Sequence, residues 1–366
     1  MTRELQEKIQ TLLNTFVAEG KERGAQVAVY IDGKLAVDVW AGVADVRTGV
    51  QVDGDTLFPA FSTMKGIQAT AMHILAERGQ IDYDTPIAHY WPEFAQNGKE
   101  TITIRHALAH TSGIPYMPVD IGHAQLCDWD TMCRLVAQLK PAWPAGQKCF
   151  YHPITYGWIL GEVARRVDGR PYQPFIEAEI GGPLGITTMF AGIPADLESR
   201  VAFLEEIPEP PPEIPPPALP PDQEGVPPFI KPLYDWMNRS DARRACIPGS
   251  NGIMNARAIA RHYASLMPGG IDGVELLSPD RVRLATELQI PGEGFEEGVT
   301  PRRGLGYALG EGGSETGFGH GGHGGAAGYG NVPYRLAVGV TRNLFSSHDL
   351  AGLIAKEIRS ALGITS

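Results

Sequence analysis

Nowhere in the 366 residues does an apolar run approach the roughly 20 residues that span a bilayer, so a helical membrane protein is excluded. Basic clusters are missing as well. The chain carries 31 Lys and Arg against 42 Asp and Glu, a net charge of −11, and no Lys/Arg stripe, which argues against nucleic-acid binding. Cysteine is scarce. Cys127, Cys133, Cys149 and Cys246 follow no metal-ligand spacing and need not be paired, so free thiols and no metal or other cofactor are expected. The N-terminal stretch has charges set among its apolar residues and lacks the apolar core of a signal peptide, so a cytoplasmic location is expected.

What is present fits a globular chain. Apolar residues make up 43 % and charged residues 20 %, and the length suffices for one large domain. Leu5, Ile9, Leu12, Leu13 and Phe16 recur at helical spacing. Val27, Val29 and Ile31 then alternate with their neighbours, Asp32-Gly33 supplies a two-residue turn, and Leu35, Val37 and Val39 continue the alternation to Gly42, a hairpin pattern. From residue 62 to about 200 the spacing is mostly helical. Met64, Ile67, Ala71, Ile74 and Leu75 form a stripe closed by Gly79, and Ile159, Val163 and Val167 another closed by Gly169. Prolines crowd residues 206–232, which predicts an extended polyproline insertion over the surface. "NARAIARHYASLM" is helical again, "GHGGHGGAAGYGNVPYRLAVGVTRN" reads as strand, turn, strand, and "LAGLIAKEIRSALG" is a last helix. Strands near both ends of one chain predict a single sheet completed by both.

"FSTMKG" puts Ser62 and Lys65 one helical turn apart. The plain explanation is a helix cap followed by a surface lysine. The chemical one is a nucleophile beside its base, because burial or a second cation lowers a lysine pKa until it accepts protons. A serine where a helix begins also faces outward-pointing N–H groups that suit an oxyanion. Tyr151 has its own plain reading as a core tyrosine tied to backbone. His110 in "LAHTSG" fits a turn, and Tyr116, Trp129 and Trp143 fit core or rim as well as substrate contact. "HGGHGG" could form a flexible loop. Its histidines stand three apart on a strand and point to opposite faces, against chelation.

Taken in order, "FSTMKG", "LAHTSGIP", "PAGQKCFYHPITYGWILGEVARRVDG", "IPGSNGIMNARAIARHYASLM" and "GHGGHGG" resemble the class C branch of the serine β-lactamase and penicillin-binding-protein superfamily, including its family VIII carboxylesterase-like esterases and transacylases. The resemblance spans nearly the whole chain. It implies an α+β fold, an α/β sandwich plus an all-helical lobe, around a central antiparallel sheet built from both chain ends. One β-lactamase-like domain over 1–366 is expected, with a sheet lobe from 1–60 and 245–366, a mainly helical lobe from 61–205, and the insertion. It also implies roles. Ser62 would be the nucleophile, Lys65 its partner, and Tyr151 the base, with His320 replacing the third-motif lysine. The N–H groups of Ser62 and His323 would form the oxyanion hole. Gly322, His152, Tyr116 and Trp143 would contact substrate.

Two departures narrow the chemistry. The second motif is Tyr151-His152-Pro153, without the asparagine that grips a substrate amide, and the third begins with His320 rather than a fixed cation. Both disfavour penicillins and peptidoglycan stems. The expected activity is serine carboxylesterase chemistry on a small ester or acyl substrate. The alternatives are acyl transfer or amide formation, with a carrier protein or acceptor near the insertion, and, behind these, a β-lactamase, a peptidase or a non-enzymatic binder.

Overall fold

The computed structural model describes residues 2–208, 219–289 and 302–364. Among the described residues twelve strands fall into three sheets. They are β1 (Gly24–Ile31), β2 (Lys34–Asp45), β3 (Val50–Gln51), β4 (Phe58–Phe61), β5 (Met189–Ala191), β6 (Glu205–Glu206), β7 (Gly252–Met254), β8 (Ala308–Leu309), β9 (Gly317–Gly321), β10 (Ala327–Asn331), β11 (Leu336–Arg342) and β12 (Leu344–Phe345). The main sheet has the order β3-β2-β1-β11-β10-β9-β8, with antiparallel pairing throughout. β1 from one end of the chain lies beside β11 from the other, with Val27 opposite Val340 and Val29 opposite Val338.

Helices cover both faces of this sheet, which is why β1 is buried along nearly its whole length instead of alternating with solvent. Val27, Val29, Val338 and Val340 meet Leu5, Ile9 and Leu13 of the Thr2–Ala18 helix and Ile354 and Ile358 of the Leu350–Leu362 helix. Ala28 and Tyr30 point the other way, into a core with Ile259 and Tyr263 of the Ala256–Ala264 helix. Gln26, on that inner face, is buried but satisfied: its amide nitrogen donates to the Asp53 and Thr56 carbonyls, and its oxygen accepts from the Ala256 N–H and the Thr341 hydroxyl.

Asp32 and Gly33 both have positive φ, as the two-residue turn requires. β2 runs past Gly42 to Asp45. Gly42 has φ +87°, and a Cβ there would fall 2.0 Å from the Arg23 carbonyl oxygen, so glycine lets the strand pass close to its neighbour instead of ending it. The last stretch forms three strands, not two, because a short turn over Val332–Tyr334 closed by Arg335 in the left-handed region adds a second hairpin. The mainly helical stretch contains one strand, β5, which joins β4 and β7 in a small sheet.

The Met64–Glu77 helix is buried on every side from Met64 to Ala76, not on one stripe, because it lies between the sheet and the helical lobe. The proline-rich segment departs most from expectation. Its residues 209–218 lie outside the described ones. Residues 219–237 do not run free over the surface; they form short 3-10 turns and the Leu233–Met237 helix, because Val226, Ile230, Leu233 and Trp236 bury themselves against the body. Among the described residues no helix is long and apolar enough to cross a membrane, and none of the four cysteines forms a disulfide.

Candidate active site

β4 ends at Phe61, whose φ of +47° is rare for an aromatic residue and bends the chain sharply. Ser62 sits on that bend, two residues before the helix begins at Met64. It is not a cap. Thr63 occupies the cap position and makes no side-chain cap bond. The Ser62 hydroxyl instead faces Lys65 Nζ at 3.2 Å and is hydrogen-bonded to the Tyr151 hydroxyl.

Lys65 is fully buried, so it is not a surface lysine. Its Nζ donates to the carbonyls of Pro153 and Gly249, each at 2.7 Å. These acceptors use two N–H bonds and direct the third position of the nitrogen toward Ser62. Burial pushes the Lys65 pKa well below its ordinary value, and the Arg303 guanidinium pushes in the same direction. Both effects disfavour the ammonium form at the position that faces Ser62.

Tyr151 is held from behind by the "LAHTSG" turn. His110 has φ +59°, its carbonyl accepts from the Phe150 N–H at 3.0 Å, and its Nδ1 accepts from the His152 N–H at 3.1 Å. The His110 ring lies 5.0 Å from the Tyr151 ring and stacks on Tyr156. Burial raises the Tyr151 pKa, while the Ser62 hydrogen bond and Arg303 pull it down. Burial thus disfavours the charged form of both members, the ammonium of Lys65 and the phenolate of Tyr151.

His320, on β9, has its ring 5.9 Å from that of Tyr151. Its Nδ1 donates to the Gly321 carbonyl at 2.6 Å, which leaves Nε2 as a buried acceptor with no hydrogen-bond partner among the described residues. Burial, then Arg303 and Lys65, hold it neutral. Gly322 follows, and a Cβ on it would fall 2.1 Å from the Ala60 carbonyl oxygen. Only glycine lets β9 close against the end of β4. His323 thereby reaches the cavity, its ring 5.7 Å from that of Phe61. Neither the Ser62 N–H nor the His323 N–H donates to a backbone carbonyl among the described residues.

Ser62, Tyr151 and His323 border a cavity of ≈ 190 Å³ whose walls are mostly apolar, with Leu126, Ile154 and Ile247 on one side and, on another, Val226 and Ile230 from the proline-rich segment and Trp236 from the short helix after it. The sequence reading missed this second wall, although the spacing 226, 230, 233, 236 is that of one apolar helical face. It also missed Ser250, which lines the cavity and donates to the Pro153 carbonyl at 3.0 Å, and Arg303.

His152, Tyr116 and Trp143 do not line the cavity. The His152 ring is turned inward. Nε2 accepts from Ser112 Oγ at 2.9 Å and the Ile114 N–H at 3.1 Å, and Nδ1 donates to the Phe150 carbonyl at 2.6 Å, so no ring nitrogen remains for substrate. Tyr116 and Trp143 pack edge-on with Phe150 in a cluster of their own. Trp129 donates to Glu162 at 2.8 Å inside the helical lobe. No group of three or more acidic, histidine or cysteine side chains among the described residues could hold a metal ion.

A model of the family described as Beta-lactamase matches residues 9–362. Esterase/beta-lactamase LipL of Mycobacterium tuberculosis is 33 % identical over 345 residues, 87 % of this chain and 77 % of that protein. The crystal structure of a family VIII carboxylesterase superposes with a TM-score of 0.86 at 30 % identity, covering 98 % of this chain and 97 % of the other. A penicillin-binding-protein homologue from Caulobacter crescentus gives 0.81 at 30 % identity, with 98 % and 94 % covered. The chain therefore belongs to the beta-lactamase family, a serine hydrolase superfamily that includes esterases.

Proposed function

We propose that this protein is a serine carboxylesterase that forms an acyl-enzyme on Ser62. The observation that carries the reading is the double engagement of one hydroxyl: Lys65 Nζ and the Tyr151 phenol both meet Ser62 at the edge of an apolar cavity. As Ser62 Oγ attacks the ester carbonyl, its proton passes to the Lys65–Tyr151 pair, and the oxyanion gains the Ser62 and His323 N–H groups. The Tyr151 hydroxyl then protonates the departing alkoxide, with the neutral His320 Nε2 beside it as a hydrogen-bond acceptor. Water attacks the acyl-enzyme by the same steps in reverse order of partners, and the acid leaves.

The apolar walls suit an acyl group without charge, and Pro153 in place of an amide-gripping residue supports esters over β-lactams. The same lining favours a second reading, acyl transfer, because apolar walls beside Ser62 let an alcohol or amine compete with water. The part of the proline-rich segment that could receive a carrier protein or acceptor is then the outer side of the cavity wall formed by 219–237.

Incubation with p-nitrophenyl acetate and a fluorophosphonate tests the proposal. Ester turnover and one covalent adduct on Ser62, both lost in Ser62→Ala, are expected. An unlabelled Ser62 without turnover defeats it. Added alcohols that divert acyl groups from acid to ester would identify transfer.

A further inference from the structure

His320 stands where a fixed cation is otherwise expected, and it is neutral. Another residue supplies positive charge to the site. The guanidinium carbon of Arg303 lies 5.4 Å from the centre of the Tyr151 ring, a cation–π distance. Its backbone is fixed: the Arg303 carbonyl accepts from the Gln289 N–H at 2.7 Å, and Arg303 bridges to Ala308 at the start of β8. Arg303 makes no ion pair with a carboxylate among the described residues. Its charge acts on the site through Tyr151 as well as on Glu311.

We propose that Arg303 is a positioning residue for ester cleavage, its charge over the Tyr151 ring holding the Lys65–Tyr151 pair in the singly protonated form that the reaction uses. This rests on the reading of Ser62 as nucleophile. A pair with one proton can accept another from Ser62, whereas a pair with two cannot. A nearby cation disfavours the second proton on either member.

The groups facing the pair come from several elements. Ser62 and Lys65 belong to the turn and helix after β4, His110 to the turn behind Tyr151, Tyr156 to the Thr155–Asp168 helix, and His320 to β9. His110, His152 and His320 are held neutral by burial, so none competes with Arg303 as a cation near neutrality. Glu311 is the acid whose titration Arg303 influences. Burial raises its pKa and Arg303 opposes that rise. Cys149 also feels the guanidinium, and its thiol is pushed up by burial.

The test is the pH dependence of kcat/KM for p-nitrophenyl acetate, an uncharged ester, together with the rate of Ser62 labelling by a fluorophosphonate. Arg303→Gln should move the ascending limb up by about one pH unit, giving roughly tenfold slower reaction below the limb and near wild-type rates above it. Arg303→Lys, which keeps the charge, should leave the limb within a few tenths of a unit. Should Arg303→Gln fail to fold, Arg303→Met, which keeps the apolar stem over the ring, carries the same comparison. A limb at the wild-type position in the uncharged variants, whatever the drop in rate, overturns the proposal. A wild type that leaves Ser62 unlabelled would instead defeat the esterase reading itself, while a labelled wild type with an unmoved limb removes Arg303 alone.

Discussion

Lys65 Nζ stands 3.2 Å from Ser62 Oγ with its remaining hydrogen-bonding positions taken by backbone carbonyls. The lysine is therefore aimed by the main chain of two other segments, Pro153 and Gly249, rather than by its own helix. Lys65→Ala should lower kcat/KM by about 10²- to 10⁴-fold, the range of a lost proton acceptor. Lys65→Arg should fall as far, because a guanidinium cannot become neutral. Single-turnover acylation of each variant would decide; a lysine variant that acylates at the wild-type rate would take Lys65 out of the chemistry.

Gly322→Ala tests the closure of β9 on β4. Its Cβ would meet the Ala60 carbonyl oxygen, a backbone atom that cannot rotate away. The strands must part, which carries the His323 N–H away from the oxyanion position proposed for it. A loss of about 10²-fold or more in turnover is expected, with a destabilisation of about 1–3 kcal/mol in denaturant unfolding.

Ile230→Phe tests the wall contributed by the proline-rich segment. Ile230 is buried at the cavity edge, and a larger side chain shortens the space for an acyl chain. Butyrate and longer p-nitrophenyl esters should lose about tenfold or more in kcat/KM relative to acetate. An unchanged preference across acyl lengths would show that the acyl group binds elsewhere.

Buried neutral histidines set the acid limit of stability. His73 and His152 are each held at about 4, chiefly by burial, below an ordinary value of 6.5. Their folded pKa values are depressed, so the unfolded chain takes up protons that the native protein refuses. The histidine penalty is absent above about pH 6.5, and stability falls as the pH drops toward 4, by up to about 3 kcal/mol for each histidine. Lys65 acts in the same sense at alkaline pH, where stability rises as the unfolded lysine loses its proton. Urea midpoints measured across this range should flatten in His152→Gln, whose ring position no longer titrates.

Much of the fold was legible because local patterns were unambiguous. The Asp32-Gly33 turn, the helical stripe of residues 5–16 and Gly169 at a helix end, where φ is +90°, each follow from a few neighbouring residues. The positions of Ser62, Lys65, Tyr151, His320 and Gly322 were legible too, but only because their motifs occur in a known order. What failed were readings in which a residue's neighbours in sequence stood in for its neighbours in space. His152 follows Tyr151, yet adjacent side chains on an extended segment point apart, and its ring turns to Ser112 and Ile114. The proline-rich segment was read from composition, whereas Val226 and Ile230 within it decide where it packs.

The sequence alone determined the family and the strands drawn from both ends, and it marked the candidate site residues, because these depend on residue type, periodicity and motif order. The tertiary structure decided which carbonyls aim Lys65, that the wall beside Ser62 comes from residues 226–236, and that Arg303 stands over Tyr151 from 152 positions away along the chain. Desolvation and through-space charge depend on which atoms enclose a group, and that enclosure exists only once the distant segments have packed.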